Sequence, residues 1–221
     1  MATVVAEVSS VAWRLAQLGL APNVLRDAVA AGELERVSCT DLHPVGYPGY
    51  TAWGTTFARL AFNLKPFGWE KRDFHNLPLV THPERLLAIA VSSGNEFTGS
   101  KDIDVAPSTM HTKGPMFGVR VTQNQPSLFH ESEFRPKPPA DAHATWILLF
   151  HSPQVPRDER SIPRITRCEL SMPEAIDPFG WVVAWSERII LEPVTLDDLP
   201  RREAVPDLGP SPKIEVKVTR R

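Results

Sequence analysis

The sequence predicts an α+β fold: N-terminal helices packed on a mostly antiparallel β-sheet of five to seven strands, joined by long Pro-rich loops. Three observations carry this. Apolar residues recur at helical spacing in the first third, up to Leu64. After Gly68 they form runs of strand length, and no ten-residue helical pattern separates the four strand candidates of the last third. Proline makes up 22 of 221 residues, about twice the ordinary share of roughly 5%. It crowds 126–139, 153–163 and 193–212, between the periodic segments rather than within them. Consecutive strands without crossover helices pair antiparallel.

The elements follow in chain order. Val11, Leu15 and Leu18 lie on one helical face that Gly19 ends. Pro22 suits a first helical turn, and Leu25, Ala28 and Val29 follow until Gly32. Two short helices with a tight break also describe a helix-turn-helix. The second one, Asn23 to Ala31, offers only Asn23 and Arg26 to a nucleic acid, opposed by Asp27 and Glu33. A helical hairpin packed on the body is the better reading. Val37 to Thr40 reads as a short strand, and Asp41 to Tyr50, with Pro44, Gly46, Pro48 and Gly49, as loop. Thr51 to Leu64 is a helix, with Phe57, Leu60, Ala61 and Leu64 on one face.

Leu77 to Thr81 and Leu86 to Ser92 form a hairpin across 82–85, and the second arm, apolar on both faces, reads as a central strand. Gly94 to Pro115 and Gln125 to Ala144 are long irregular stretches of the kind that is usually functional or disordered. The intervening Met116 to Asn124 fits a short helix or a strand equally. Thr145 to His151, Arg164 to Met172, Trp181 to Leu191 and Lys213 to Thr219 are strands. There is no internal repeat. Residues 1–195 form a single α+β domain whose helical part is 1–65. Residues 196–221 add a Pro-rich connection and a C-terminal strand to the same domain.

Bulk properties exclude several functions. The balance of 24 Lys+Arg against 26 Asp+Glu gives −2, so no whole-molecule field draws the chain onto nucleic acid or an anionic membrane. No apolar run approaches the roughly 18 residues that span a bilayer. Two cysteines, Cys39 and Cys168, do not make a disulfide-stapled secreted scaffold. Met1 to Val11 lacks a basic segment followed by an apolar core. A cytoplasmic protein is expected.

Several residue sets bear chemistry. Ser92 to Lys101 is a glycine loop after a strand, but its lysine comes one residue late and Asp102 replaces the magnesium-binding hydroxyl, so it reads as a strand exit. Glu187 interrupts the face Trp181, Val183, Trp185, Ile189, Leu191 of its strand, and a carboxylate facing a core needs a partner. Arg167, which shares a face with Glu169 on the neighbouring strand, is that expected partner. If the region is a site instead, Glu169 and Glu187 are its carboxylates. Asp207, Glu215 and Lys217 form a further set, because Glu-x-Lys on a strand puts both side chains on one face beside an upstream aspartate. This Pro-Asp…Glu-x-Lys pattern resembles that of the PD-(D/E)xK nucleases, and the resemblance implies magnesium- or manganese-dependent phosphodiester hydrolysis. The plainer reading is an edge strand guarded by charge.

Cys39 and His43 have the spacing of half a zinc site without a second half. His75, His82 and His111 are the weak metal candidates. Cys39, near a loop, is the better nucleophile, and Cys168 the better core residue. Lys101, His111, Lys113, Arg120, Arg135 and Lys137 would form a local basic surface if the two long loops meet.

The expected function is a non-catalytic binding subunit of a cytoplasmic complex, without cofactor, that contacts a protein or nucleic-acid partner through its stiffened loops. The alternative is a metal-dependent hydrolase or nuclease using the strand-borne carboxylates, with magnesium or manganese.

Overall fold

The computed structural model describes residues 2–82, 84, 87–124, 144–153 and 165–195. Its helices are α1 (Val8–Gln17), α2 (Pro22–Ser38), α3 (Tyr47–Leu64) and α4 (Pro115–Asn124), with a 3-10 turn at Lys65–Phe67. Its strands are β1 (Thr3–Val5), β2 (Glu70–Phe74), β3 (Leu77–His82), β4 (Leu87–Ser93), β5 (Ala144–His151), β6 (Ile165–Ile176), β7 (Val182–Ile190) and β8 (Val194–Thr195). They form one open sheet in the order β1-β7-β6-β5-β4-β3-β2, with β8 added to β6.

The α+β class holds, but two finer expectations are corrected. The sheet is mixed, because β4 runs parallel to β5 and β1 parallel to β7. The helices are not all N-terminal, because α4 lies between β4 and β5. The parallel β4–β5 pairing and the position of α4 have one cause. A chain that leaves β4, crosses the sheet face through α4 and returns can start β5 in the same direction. The sequence of α4 carries Val119, Val121 and Gly118, so its helical period is weak. Packing settles it as a helix. Phe117 and Val121, one turn apart, bury against Ala88, Ala90, Ile147, Leu149 and Trp185.

Helices α1, α2 and α3 cover the opposite face, where Leu15, Leu25 and Leu60 meet Ile89, Leu148, Leu170 and Ile189. The central strands β4 and β5 are buried on both faces, as their continuous apolar runs require. The expected hairpin is present, with Val80 opposite Ile89.

Three local boundaries differ. Val37, expected in a strand, sits in the last turn of α2, which passes through Gly32 without stopping. One glycine costs a helix about 1 kcal/mol and does not end it when both sides are packed. Helix α3 begins at Tyr47 inside the expected loop, with Pro48 in its first turn. Strand β2, Glu-Lys-Arg-Asp-Phe, has no hydrophobic period. It is an exposed edge, joined to β3 through His75 and Asn76, both at positive φ. Its charges oppose edge-to-edge pairing. The expected strand 213–219 lies outside the described residues.

Candidate functional site

Residues 94–114 join β4 to α4, and their one strand-like feature is a bridge between Gly94 and Thr109. Such a length of irregular backbone holds its shape only if its polar groups are satisfied. The sheet supplies them through a buried ion pair. Glu169 on β6 and Arg188 on β7 are 0% and 1% exposed. Arg188 Nη2 donates to Glu169 Oε2 at 2.8 Å and Nε to Oε1 at 3.1 Å. Glu169 also accepts from the Gly99 N–H at 2.7 Å and from Ser171 Oγ at 2.7 Å. Arg188 donates onward to the carbonyls of Val105 at 2.8 Å and Ser100 at 3.1 Å. Gly99 has φ +75° and packs so closely on β6 that a Cβ there would lie 2.9 Å from that of Arg167. Trp185 Nε1 donates to the Pro107 carbonyl at 2.7 Å, and Ser108 Oγ to the Val182 carbonyl at 3.0 Å. The loop is therefore tied to β6 and β7 along its length, and 101–104 are left exposed at its tip.

The two carboxylates singled out from the sequence are not brought together. β7 is bulged, with Met172 opposite Glu187 but Pro173 opposite Trp185, so Ser186 is skipped. A skipped residue reverses the alternation of side chains. Trp185 joins the α4-side core, whereas Glu187 turns to the α1 side. There Arg14 of α1 grips it with two bonds, 2.6 and 2.7 Å, and its guanidinium pKa is raised by that hydrogen bond. The expected Arg167–Glu187 bridge does not form, and Arg167 Nη2 donates to the Glu96 carbonyl instead. Glu187 does need and find a partner, as a core-facing carboxylate must, but that partner comes from α1.

Nor do the described members of the basic set form one surface. Lys101 and His111 are exposed, but Arg120 is 3% exposed, with its guanidinium carbon 4.1 Å from the Phe74 ring centroid. Helical phase explains it, because Arg120 shares the inner face of α4 with Phe117 and Val121. Lys113 turns inward too, and its Nζ donates to Ser92 Oγ at 2.6 Å. Arg135 and Lys137 lie outside the described residues, as do Asp207, Glu215 and Lys217.

Burial pushes the Lys113 amine down to about 8 from 10.5. Between these values the unfolded chain binds a proton that the folded chain does not, so stability rises with pH from about 8 to about 10.5 and is lower and flat below 8. Lys113→Met removes the desolvated charge. It is expected to add about 1–2 kcal/mol at pH 7 and to flatten that rise. Urea melts of both proteins at neutral and alkaline pH measure this, and an unchanged slope in the variant would rule it out.

His75 occupies the β2–β3 turn, His82 Nε2 meets the Phe67 carbonyl at 3.2 Å, and His111 is in the long loop. Among the described residues no three His, Cys, Asp or Glu side chains are grouped to hold a metal ion. Burial pushes the Cys168 thiol up to about 12, which makes it inert. The half-buried Cys39 donates its thiol to the Glu35 carbonyl at 3.4 Å.

Two features escaped the sequence reading. Leu42, Val45 and Tyr50, before and within the first turn of α3, are 92%, 102% and 67% exposed. Their signal was there, as apolar residues inside a Gly/Pro loop. The pairing of Arg188 with Glu169 depends on strand register and had no local signal. No helix among the described residues is long and apolar enough to cross a membrane. No family model, curated protein or solved structure matches the chain.

Proposed function

We propose that the chain is a non-catalytic interaction protein of the cytoplasm that presents residues 94–114 to a protein partner. The observation that carries this is the use of the Glu169–Arg188 pair. A fully buried ion pair adds little net stability, yet here three of its four remaining bonds go to Gly99, Ser100 and Val105 of an irregular segment, the fourth being to Ser171 on β6. That fixes the loop before any encounter and lowers the entropy lost on binding. Phe97, Ile103 and Met110 are exposed on it beside Glu96, Asp102 and Asp104. Exposed apolar side chains among carboxylates suit a protein surface better than a phosphate backbone, and the inward turn of Lys113 and Arg120 weakens the nucleic-acid reading further. Glu169 and Glu187, each held by its own arginine, offer no open pair for metal-assisted hydrolysis.

The test replaces Phe97, Ile103 and Met110 by serine in the tagged full chain. Proteins that co-purify with parent and variant from the native cell extract are compared, with and without nuclease. A defined protein held at least tenfold more weakly by the variant, with an unchanged melt, supports the reading. That loss is about 1.4 kcal/mol. Identical capture by a folded variant, or capture that nuclease abolishes, overturns it.

A further inference from the structure

The connection between α2 and α3, on the sheet face opposite α4, carries Leu42 and Val45, the most exposed aliphatic side chains among the described residues. Neither belongs to the core on either side of the sheet. Their backbone is nonetheless held in turns. The His43 N–H donates to the Thr40 carbonyl at 3.2 Å and the Tyr47 N–H to the Pro44 carbonyl at 2.9 Å. His43 Nδ1 accepts from the Thr40 N–H at 3.0 Å, and the ring stacks on Tyr47, centroids 5.0 Å apart. Tyr50 leans on Trp53, centroids 5.7 Å apart, and Trp53 Nε1 donates to the Val91 carbonyl at 3.0 Å. The segment is thus anchored to β4 while its tip stands clear of the body. A Cβ on Gly46, Gly49 or Gly54 would meet nothing within 4 Å.

Composition says what such a tip meets. No Asp, Glu, Lys or Arg occurs from Leu42 to Ala58. Tyr47 and Tyr50 are the only tyrosines of the chain, and both are exposed beside the two bare aliphatic residues. Tyrosine, with an apolar ring and a polar end, favours the headgroup level of a membrane, and aliphatic side chains favour the acyl region beneath it. Residues 42–50 offer no charged rim of the kind that surrounds the core of a protein interface. Their four apolar side chains also present less than the roughly 800 Å² that each partner of a stable protein pair buries. Insertion into hydrocarbon scales with the apolar area and needs no matching shape. We propose that residues 42–50 dip into a zwitterionic lipid bilayer, with Leu42 and Val45 among the acyl chains and Tyr47 and Tyr50 at the headgroups. The protein then lies on the membrane without spanning it. Asp41 at the edge of the tip and the net charge of −2 favour a zwitterionic over an anionic surface. This site is independent of the loop 94–114 reading.

The probe is vesicles of phosphatidylcholine alone, mixed with the full chain and separated by flotation. The expected result is saturable binding, half complete at roughly 1 mM lipid, about tenfold weaker than a single myristoyl chain gives. Leu42→Ser with Val45→Ser should weaken it at least about tenfold with an unchanged melt, because neither side chain is packed. Val45→Trp should strengthen it about threefold. Phe62→Ser, which removes a similarly bare side chain near the far end of α3, should change nothing. Adding phosphatidylglycerol should not strengthen binding. No flotation up to about 10 mM lipid overturns the proposal, and so does equal binding by the double serine variant or a loss caused by Phe62→Ser. Binding that appears only with phosphatidylglycerol also overturns it. So does a parent chain that self-associates while the double serine variant is monomeric, since a second copy would then cover the tip.

Discussion

Glu169→Leu is expected to cost about 3–5 kcal/mol of stability, the ordinary effect of leaving one partner of a buried ion pair alone. For a chain of this size that lowers Tm by roughly 6–20 °C. Arg188 is 1% exposed and would keep its charge with only the carbonyls of Ser100 and Val105 beside it. The double change Glu169→Leu with Arg188→Met removes both charges and should recover most of the loss. It should not recover the loop. The Gly99 N–H and both carbonyls lose their partners in the double variant, so amide exchange across 94–114 should quicken in both variants while the strands remain protected only in the double one. Thermal melts and residue-resolved hydrogen exchange measure the two effects separately. A single variant within about 1 kcal/mol of the parent would mean that the pair is solvated rather than buried. Unchanged exchange in the double variant would remove the ground for treating 94–114 as held by this pair.

What could be read from the sequence follows from the range of the interactions. Helix α3, the β3–β4 hairpin and the strands β5 to β7 were legible because their apolar spacing is a local property. The parallel pairing of β4 with β5 was not, because it depends on where the chain goes between Ser93 and Ala144. Strand β2 is made by its neighbour β3, and its own residues would suit a loop equally well. The same division runs through the candidate site. That a carboxylate at 187 needs a cation is a local inference, and it holds. Which cation supplies it depended on a bulge at Ser186 and on Arg14, a residue 173 positions away. Lys113 and Arg120 counted as basic surface by composition, but strand-end packing and helical phase turned both inward.

Gly32→Ala should destabilise the protein by about 3 kcal/mol, the upper part of the usual overpacking range. The sign is what makes this informative. In a helix interior alanine is favoured over glycine by about 1 kcal/mol, so propensity alone predicts a gain. Gly32 lies in α2 where α3 crosses it. A Cβ there would stand 2.1 Å from Thr56 Oγ1 and 2.5 Å from the Ala52 carbonyl oxygen. Thr56 can be trimmed, but the carbonyl is backbone and moves only if the helices separate. Separation would loosen the layer that buries Leu25, Ala28 and Leu60 against the sheet. Thr56→Ala in the Gly32→Ala background should therefore restore only part of the loss, and by itself should be mild, because Thr56 Oγ1 has no hydrogen-bond partner among the described residues. Denaturant melts of the two single variants and the double variant form the test. A stable Gly32→Ala protein would show that the helices are not in contact at this crossing, and full rescue by Thr56→Ala would show that the hydroxyl, rather than the backbone, sets their distance.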